Sequence, residues 1–508
     1  MPTQVFTPRF YRLTALTSEV RLRIAVFALL FSTHGSISKL AGKYKVSRPF
    51  VYGLRDKLEN FSKEQFGAAP ARDLDLERNV SIRRILTLRL EGKSPIEGIS
   101  SVLKRFGLPH NSVGFISQTL QGIGGRLGNL LDLPLEPVRV AFCSDEVFSK
   151  GQAILITVDP LSLAILHIEL SENRAGETWA AHWGRLVSAG YLPFCLCNDE
   201  GTGMAGGQGL ALPGTPRQSD TYHGVAHRLG AWVERLEKTA LKHIGEEYEC
   251  QRLLGNAKTG ATRAKRQENH QKARQRANDS IALSDAFVFL YHCLLEAFHI
   301  FDGQGNLKDG AATLPDFDTA LVLMKSLGQQ DINKEIKGIE SSKADLFQFM
   351  SIAQESVKQL AGQMPADVLK MLCLAWQTHK NAIKAKQTER KNALKRKENH
   401  LLQQLGLGVQ NTVHIADNEM DALKKLVYGQ LDTIIQSSAA VECINSILRP
   451  YLNASKNQVT QSALNLFMAY HNHRRFKAGE RKGKTPYEIL TGETQHKDWL
   501  EIMLAKAA

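Results

Sequence analysis

The first part of the chain repeats apolar residues at helical spacing. Three short helices are predicted, over residues 21–33, 37–43 and 49–58. Ser36 and Ser47 are the expected caps of the second and third helices. Apolar side chains follow the spacing of a helix-turn-helix at the joint between these two helices: Leu40, Ala41, Tyr44, Val46, Val51 and Leu54. Lys45 stands where such a motif usually has a turn glycine.

The third predicted helix carries the residues that would read DNA. It would present four side chains to a major groove: Arg48, Tyr52, Arg55 and Lys57. A plain three-helix bundle is the alternative, but the pattern favours DNA binding. We therefore predict a helix-turn-helix DNA-binding domain over residues 1–65.

A second helical group repeats the pattern. Its helices are predicted over residues 83–91, 95–106 and 112–120. Gly107 supplies the turn, and Asn111 or Ser112 caps the last helix. This group predicts a second helix-turn-helix-like DNA-binding domain over residues 66–133. The glycine-rich segment 121–125 is expected to loosen the chain before prolines mark a boundary at 134–137.

From residue 138 the apolar pattern changes to strand-like runs. Strands are predicted over residues 138–145, 152–158, 164–170 and 191–197, with a helix over 177–189 before the last strand. This βββαβ order resembles the ribonuclease H fold, and the resemblance implies that the first and fourth strands are neighbours. Asp145 ends the first strand and Asp199 follows the fourth, so we expect their carboxylates to meet. The adjacent Glu146 and Glu200 should point to the opposite face.

A long helical region separates this segment from the end of the chain. The fold class is therefore predicted as α/β: α-helical units first, then a ribonuclease H-like core over 134–221, interrupted by an α-helical insertion over 222–430. Within the insertion, residues 257–276 hold seven Lys/Arg against one acid, and residues 380–400 hold eight against two. A solvated face is the plain interpretation of one such run, but two in one insertion favour contact with phosphates.

The composition supports a nucleic-acid partner. The 508 residues have a formal charge of +13 and a pI of about 9.3, and this excess favours a polyanion. The seven cysteines predict reduced thiols in a cytoplasmic protein rather than a disulfide framework. The longest apolar run near the start, 24–31, is far shorter than a membrane span, so no membrane partner is expected.

A third acid lies in a helical stretch near the end of the chain. Glu442 is followed by Asn445 and Arg449, which helical spacing places on one side. The tail then contains Tyr470, two histidines and the pair Arg474 and Arg475, and residues 469–484 hold six Lys/Arg against one acid. Residues 431–508 are thus predicted to form a helix of the catalytic core, which carries Glu442, followed by a basic tail.

These features together resemble a bacterial insertion-sequence transposase of the Asp-Asp-Glu type, with a retroviral-integrase-like core. The resemblance spans nearly the whole chain. It implies that Asp145, Asp199 and Glu442 are catalytic and hold two Mg²⁺ ions, which Mn²⁺ can replace. It also implies that Asn445, Arg449, Arg474 and Arg475 approach DNA.

The resemblance further implies a reaction and its partners. The reaction is metal-dependent cleavage at transposon ends, followed by strand transfer into target DNA. The DNA partners are the terminal inverted repeats and the target, and pairing two ends requires a homodimer or a larger homo-oligomer. A cytoplasmic bacterial protein that associates with the nucleoid through DNA is expected.

The chain departs from the simplest members in two places. Their last two acids are much closer than the 243 positions from Asp199 to Glu442, so Glu419 and Asp421 compete for the third role. The usual Tyr-Asn pair of the tail is Tyr470-His471 here.

Asp220, His223 and His227 form a further group at helical spacing. They could bind a metal or lie beside the site, whereas Asp220 could simply cap the helix that carries the histidines. A repressor-like binder and a nuclease without strand transfer remain as alternative functions.

Overall fold

The protein is described by a computed structural model that covers residues 16–31, 33–66, 74–133, 136–199, 201–406, 417–456 and 458–507. The chain divides into two compact units, Met1–Arg84 and Ile85–Ala508. The boundary between Arg84 and Ile85 falls inside a helix. The second helical group therefore belongs mainly to the larger unit. Glu200 lies outside the described residues.

The smaller unit contains three helices packed on a common core. They are α1 (Ser18–Leu30), α2 (Ser36–Tyr44) and α3 (Arg48–Phe66). Buried Ala41 and Val51 join α2 to α3, as the apolar spacing predicts. Lys45 makes the turn in the left-handed region at φ 52°. The Ser47 hydroxyl accepts a bond from the amide of Phe50, so its capping role is confirmed. Ser36 is instead the first residue of α2 and makes no cap.

Three further helices match the second predicted group, and the first of them begins in the smaller unit. They are α4 (Leu74–Leu90), α5 (Ile96–Arg105) and α6 (Val113–Arg126). Gly107 turns the chain at φ 65°, and Ser112 caps α6. The expected loosening at 121–125 is wrong, because α6 continues through it. Gly124 lies against the backbone of Ser462 in α18 (Gln461–His473), where any side chain would overlap.

The described part of the chain is mixed α/β with mostly helical content, and the larger unit contains a five-stranded sheet. Its strands are β1 (Val138–Ser149), β2 (Gln152–Val158), β3 (Ile165–Ser171), β4 (Tyr191–Asn198) and β5 (Arg217–Ser219). The order is β3-β2-β1-β4-β5, with β1 parallel to β4 and β4 parallel to β5. The predicted strands are present and β1 and β4 are neighbours. However, β1 continues beyond Asp145, and β5 was not predicted.

Two helices alternate with the later strands along the chain. After β3 comes α7 (Gly176–Ser188), and after β4 comes α8 (Thr202–Ala211). Trp179, Trp183 and Leu186 of α7 are buried against the sheet residues Phe142 and Leu155. The hydrophobic face of α7 therefore anchors the helix on β1 and β2.

A large helical region lies between β5 and the end of the chain. It comprises a π-helix (Tyr222–His227), α9 (Arg228–Gly255), α10 (Gly260–Glu296), α11 (Gly310–Ser326), α12 (Gln330–Leu346), α13 (Phe349–Ala361), α14 (Ala366–Lys384), α15 (Thr388–Gly406) and α16 (Asp417–Leu431). Helices α9 and α10 run antiparallel along each other, with His243 bonded to Ser280. One continuous core joins this region, including Phe287, Phe317 and Trp376.

The two ends of this helical region meet. The amide and the hydroxyl of Thr221 both donate to the carbonyl of Gln436, at 3.0 and 2.9 Å. The amide and the hydroxyl of Ser438 both donate to Asp220 Oδ2, each at 2.6 Å. The chain thus leaves β5 and returns beside it, before α17 (Ala439–Ala454) begins.

The C-terminal segment packs back on the sheet. It contains α17, α18, α19 (Pro486–Thr491) and α20 (Trp499–Lys506). The side chain of Asn472 bonds both backbone groups of Ile165 in β3, at 2.8 Å each. The seven cysteines are all free thiols. Within the described ranges, no helix has the length and apolar character needed to cross a membrane.

Candidate metal-binding active site

Three carboxylates lie level with one another at the same edge of the sheet. One row of paired residues crosses β1, β4 and β5, namely Cys143, Cys197 and Gln218. Asp145, Asp199 and Asp220 each lie two residues beyond that row. Because these strands are parallel, their acids are delivered to one place, as the sequence predicted for the first two.

Glu442 joins this edge from a distant part of the chain. It lies in the first turn of α17 and lines the same cavity, of about 850 Å³, as Asp145 and Asp199. The paired ends of the helical region explain its return, because Ser438 is held by Asp220 directly before α17. The competing Glu419 lies exposed on α16, as does Asp421, and the residues that line the cavity include neither.

Asp145 is the most strongly perturbed acid of the cavity. Its Oδ2 accepts a 2.6 Å bond from the Asn445 amide, and its Oδ1 accepts from the backbone of Glu146 at 2.8 Å. Burial raises the pKa of Asp145 to about 7, and the carboxylates of Asp199 and Glu442 push it the same way against the lowering effect of the backbone bond. A cation in the cavity would relieve this repulsion, so the oxygen donors fit a divalent metal.

A histidine contacts the third acid. His223 lies in the π-helix, and its Nε2 is hydrogen-bonded to Glu442 Oε1. Burial lowers the pKa of His223, but the bond to Glu442 and the charges of Asp220 and Glu442 outweigh it, so the pKa is raised overall. Ligand atoms of Asp220, His223 and Glu442 lie within 4.8 Å of one another, close enough to hold one metal ion.

Asp220 is a structural acid as well as a possible ligand. Its Oδ1 accepts from the amides of Tyr222 and His223 at 2.7 and 3.0 Å, which caps the π-helix. Its Oδ2 accepts the two bonds from Ser438, and the side chain is only 2% exposed. The capping role considered from the sequence is therefore confirmed, and the tie to Ser438 is an addition that sequence spacing did not reveal.

Some basic residues at the cavity were not predicted from the sequence. His227 and Arg228 both line the cavity, and only His227 was noticed through its spacing from Asp220. Arg174 contacts Glu146 on the other side of β1. Glu146 thus points away from the cavity, as strand alternation predicted.

The residues of α17 predicted to approach DNA differ in exposure. Arg449 is exposed at the cavity wall. Asn445 is 6% exposed, and its observed partner is Asp145. The contact of Asn445 therefore orients a carboxylate, while its approach to DNA stays a prediction.

The arginines of the tail lie away from the cavity lining. The Arg475 guanidinium bonds the Glu488 carboxylate and the carbonyls of Gly483 and Gln495, so it is committed within the C-terminal fold. The Arg474 guanidinium lies 5.5 Å from the centre of the Tyr470 ring. Arg474 is half-buried and Arg475 exposed, and DNA contact by either stays a prediction.

The predicted DNA-reading residues of the smaller unit share one helix, α3. Arg48, Tyr52 and Lys57 are exposed, and Arg55 is half-buried. Arg55 pairs with Asp56 at 2.8 Å and lies 5.0 Å from the centre of the Tyr52 ring. Contact of these four residues with DNA stays a prediction.

The chain matches no known protein family, and no curated protein resembles it significantly. The geometry of the cavity and the pattern of the sequence therefore carry the functional proposal.

Proposed function

We propose that the protein is a DNA transposase of the Asp-Asp-Glu type, which cuts DNA at transposon ends and transfers the strands to target DNA. The observation that carries the proposal is the meeting of Asp145, Asp199 and Glu442 in one cavity. Glu442 comes 243 residues after Asp199, so their proximity is a property of the fold. Acidic side chains that repel one another across a cavity are what a cation site requires.

The sheet supports a ribonuclease H-like core for this enzyme. Strands β1, β2 and β3 are antiparallel, and β4 adds parallel to β1, which is the arrangement expected for that core. In this proposal residues 134–221 form the first part of the core, 222–430 the insertion, and 431–508 the returning helix and tail.

The donor set favours Mg²⁺, with Mn²⁺ as a substitute. Asp145, Asp199 and Glu442 offer hard oxygen ligands. Two such ions, when bound, would activate water or a 3′-hydroxyl and stabilise the leaving oxygen. Asn445 holds Asp145 in place for this work, and His223 holds Glu442.

Charge and the helical units support DNA as the partner. The protein has a formal net charge of +13, and two strongly basic segments lie in the helical region. In the proposal α3 recognises the terminal repeat, Arg449 contacts DNA near the cavity, and two protomers or more pair the ends. Such a protein would work at the nucleoid in the cytoplasm.

The experiment uses the purified full chain with Mg²⁺ and labelled DNA from both flanks of its gene. Cutting followed by joining to a target supports the transposase, and cutting alone supports a nuclease. Binding without cutting supports a repressor-like protein. Asp331→Asn, an exposed substitution on α12, is the matched control for Asp145→Asn. Equal activity of both variants would contradict the proposed site.

A further inference from the structure

A second cluster of metal-ligating side chains lies between β3 and α7, apart from the residues that line the Asp145 cavity. His167 and Glu169 come from β3, and His182 comes from α7. Their exposed fractions are 0%, 8% and 0%, and one ligand atom of each lies within 4.8 Å of the others. Buried polar groups of this kind need partners.

Two nitrogens in this cluster have none. His167 Nε2 and His182 Nδ1 are buried without a hydrogen-bond partner. His167 Nδ1 bonds the backbone carbonyl of His182 at 3.3 Å, and a carbonyl can only accept. The proton of a neutral His167 ring is therefore on Nδ1, which leaves a lone pair on Nε2. That lone pair faces Glu169 Oε2 at 3.4 Å, and both atoms are acceptors.

His182 is held in a similar way. Its Nε2 is 3.0 Å from the hydroxyl of Thr157, which is bonded to the hydroxyl of Ser144. When His182 Nε2 donates to Thr157, Nδ1 keeps its lone pair toward Glu169 Oε1, 3.9 Å away. Hydrogen bonds on the distal ring nitrogen are the usual support of a metal-bound histidine.

We propose that His167 Nε2, His182 Nδ1 and the Glu169 carboxylate hold a structural ion of the Zn²⁺ class. Ligands in a tetrahedral zinc site lie about 3.3 Å apart. His167 Nε2 lies 3.4 Å from Glu169 Oε2 and His182 Nδ1 lies 3.9 Å from Glu169 Oε1, so each nitrogen has its own carboxylate oxygen close to that spacing. The ion would tie β3 to α7. Mixed imidazole and carboxylate donors favour zinc over Mg²⁺.

Two local changes accompany binding. The rings of His167 and His182 stack with centroids 4.0 Å apart, so their in-plane lone pairs do not converge on one point. One ring must turn about χ2 to bind the ion, and this turn lengthens the hydrogen bond of its other nitrogen. The Arg185 guanidinium contacts Glu169 and competes for the carboxylate. The Arg185 side chain is 54% exposed and is free to swing away.

The test measures Zn²⁺ retained by the chelator-treated full chain after gel filtration, with Co²⁺ absorption as the probe of geometry. All proteins carry Glu442→Gln, which removes the acidic site from the count. One equivalent of Zn²⁺ and a tetrahedral Co²⁺ spectrum are expected. His167→Gln should weaken Zn²⁺ binding at least tenfold, whereas His471→Gln, at a buried histidine outside the cluster, should not.

Arg185→Gln keeps the proposal testable if His167→Gln fails to fold. Because the competing cation is removed, Zn²⁺ should bind several-fold more tightly. Zn²⁺ should also raise the Tm of the parent protein more than that of His167→Gln. Retention of less than one equivalent by the parent, or equal retention by the parent and a folded His167→Gln, would overturn the proposal.

Discussion

Asp145 combines a proposed catalytic role with a cost to stability. Its pKa in the folded protein is about 7, above the ordinary value of 3.8. Ionisation of Asp145 therefore lowers the free energy of unfolding as the pH rises from the ordinary value to about 7. Asp145→Asn should therefore abolish cutting and yet stabilise the metal-free protein. At pH 8 we expect a gain of up to about 4 kcal/mol in the free energy of unfolding, decreasing toward pH 4.

Urea unfolding at pH 8 and pH 5 measures this gain, and DNA binding and cutting are assayed in parallel. Asp331→Asn should leave the free energy of unfolding within about 0.5 kcal/mol, since it is a surface change. Loss of both binding and cutting in Asp145→Asn, together with lower stability, would show that Asp145 is a structural residue.

The histidine beside Glu442 should matter through that acid. His223→Gln removes the charged form of the partner while leaving the backbone bond of the His223 amide to Asp220. We expect cutting to fall by roughly 10- to 100-fold, the range seen when a partner that orients a metal ligand is lost. Measuring the rate against Mg²⁺ concentration should show a higher half-maximal concentration. The exposed His292→Gln is the control, and equal rates for both variants would contradict this role.

His471 should make the protein less stable in acid. Burial, aided by Arg474, lowers its pKa to about 4, below that of an unfolded histidine. The unfolded chain therefore binds the proton first, and stability falls as pH drops from about 6.5 to 4, by up to about 3 kcal/mol. His471→Gln can keep a bond to the Leu163 carbonyl and should reduce this pH dependence.

Chemical unfolding of both proteins between pH 7 and pH 4 checks the prediction. The exposed His496→Gln should retain the slope of the parent. Parallel stability curves for His471→Gln and the parent would disprove the assignment.

At the scale of elements, two helices approach so closely that one residue decides their packing. Gly124 of α6 lies on the backbone of Ser462 in α18, and Asn465 bonds the Gly124 carbonyl at 2.9 Å. Gly124→Val should cost roughly 2–3 kcal/mol, because the helices must separate. Gly122→Ala, on the same helix with open space around it, should gain roughly 0.5–1 kcal/mol. Thermal unfolding compares them, and similar Tm values would contradict the close packing.

The elements also show what sequence patterns reveal. Helices α2, α5 and α7 follow apolar periodicity, since each buries one face, and the strands β1 to β4 appear as short apolar runs that are largely buried. β5 escaped prediction because its residues Arg217, Gln218 and Ser219 have no apolar run, and pairing with β4 alone defines the strand. The glycines of α6 suggested a loose segment, whereas Gly124 is required by the contact with Ser462, which comes 338 positions later in the chain.

At the scale of the whole molecule, the site depends on contacts that no local pattern contains. The sequence pointed to Asp145, Asp199 and Glu442 through their neighbours and spacing. It did not reveal that Ser438 binds Asp220 across 218 positions, because long-range hydrogen bonds leave no periodic trace. That contact holds the end of the large helical region beside its start at β5, and so places Glu442 next to the sheet.

The two-unit division predicts that end recognition and cutting can be separated. A chain lacking residues 1–73 keeps α4 and all described residues of the cavity. It should keep Mg²⁺-dependent nicking of nonspecific DNA, because Asp145, Asp199 and Glu442 remain. Binding to the terminal repeat should weaken at least tenfold relative to random DNA, because α3 with Arg48 and Lys57 is absent. Competition binding at fixed salt measures the affinity for the terminal repeat relative to random DNA. Arg48→Gln in the full chain should also lower this relative affinity. Circular dichroism should first show that the truncated chain is folded. If that chain still prefers the terminal repeat over random DNA to the same extent, end recognition belongs to the larger unit.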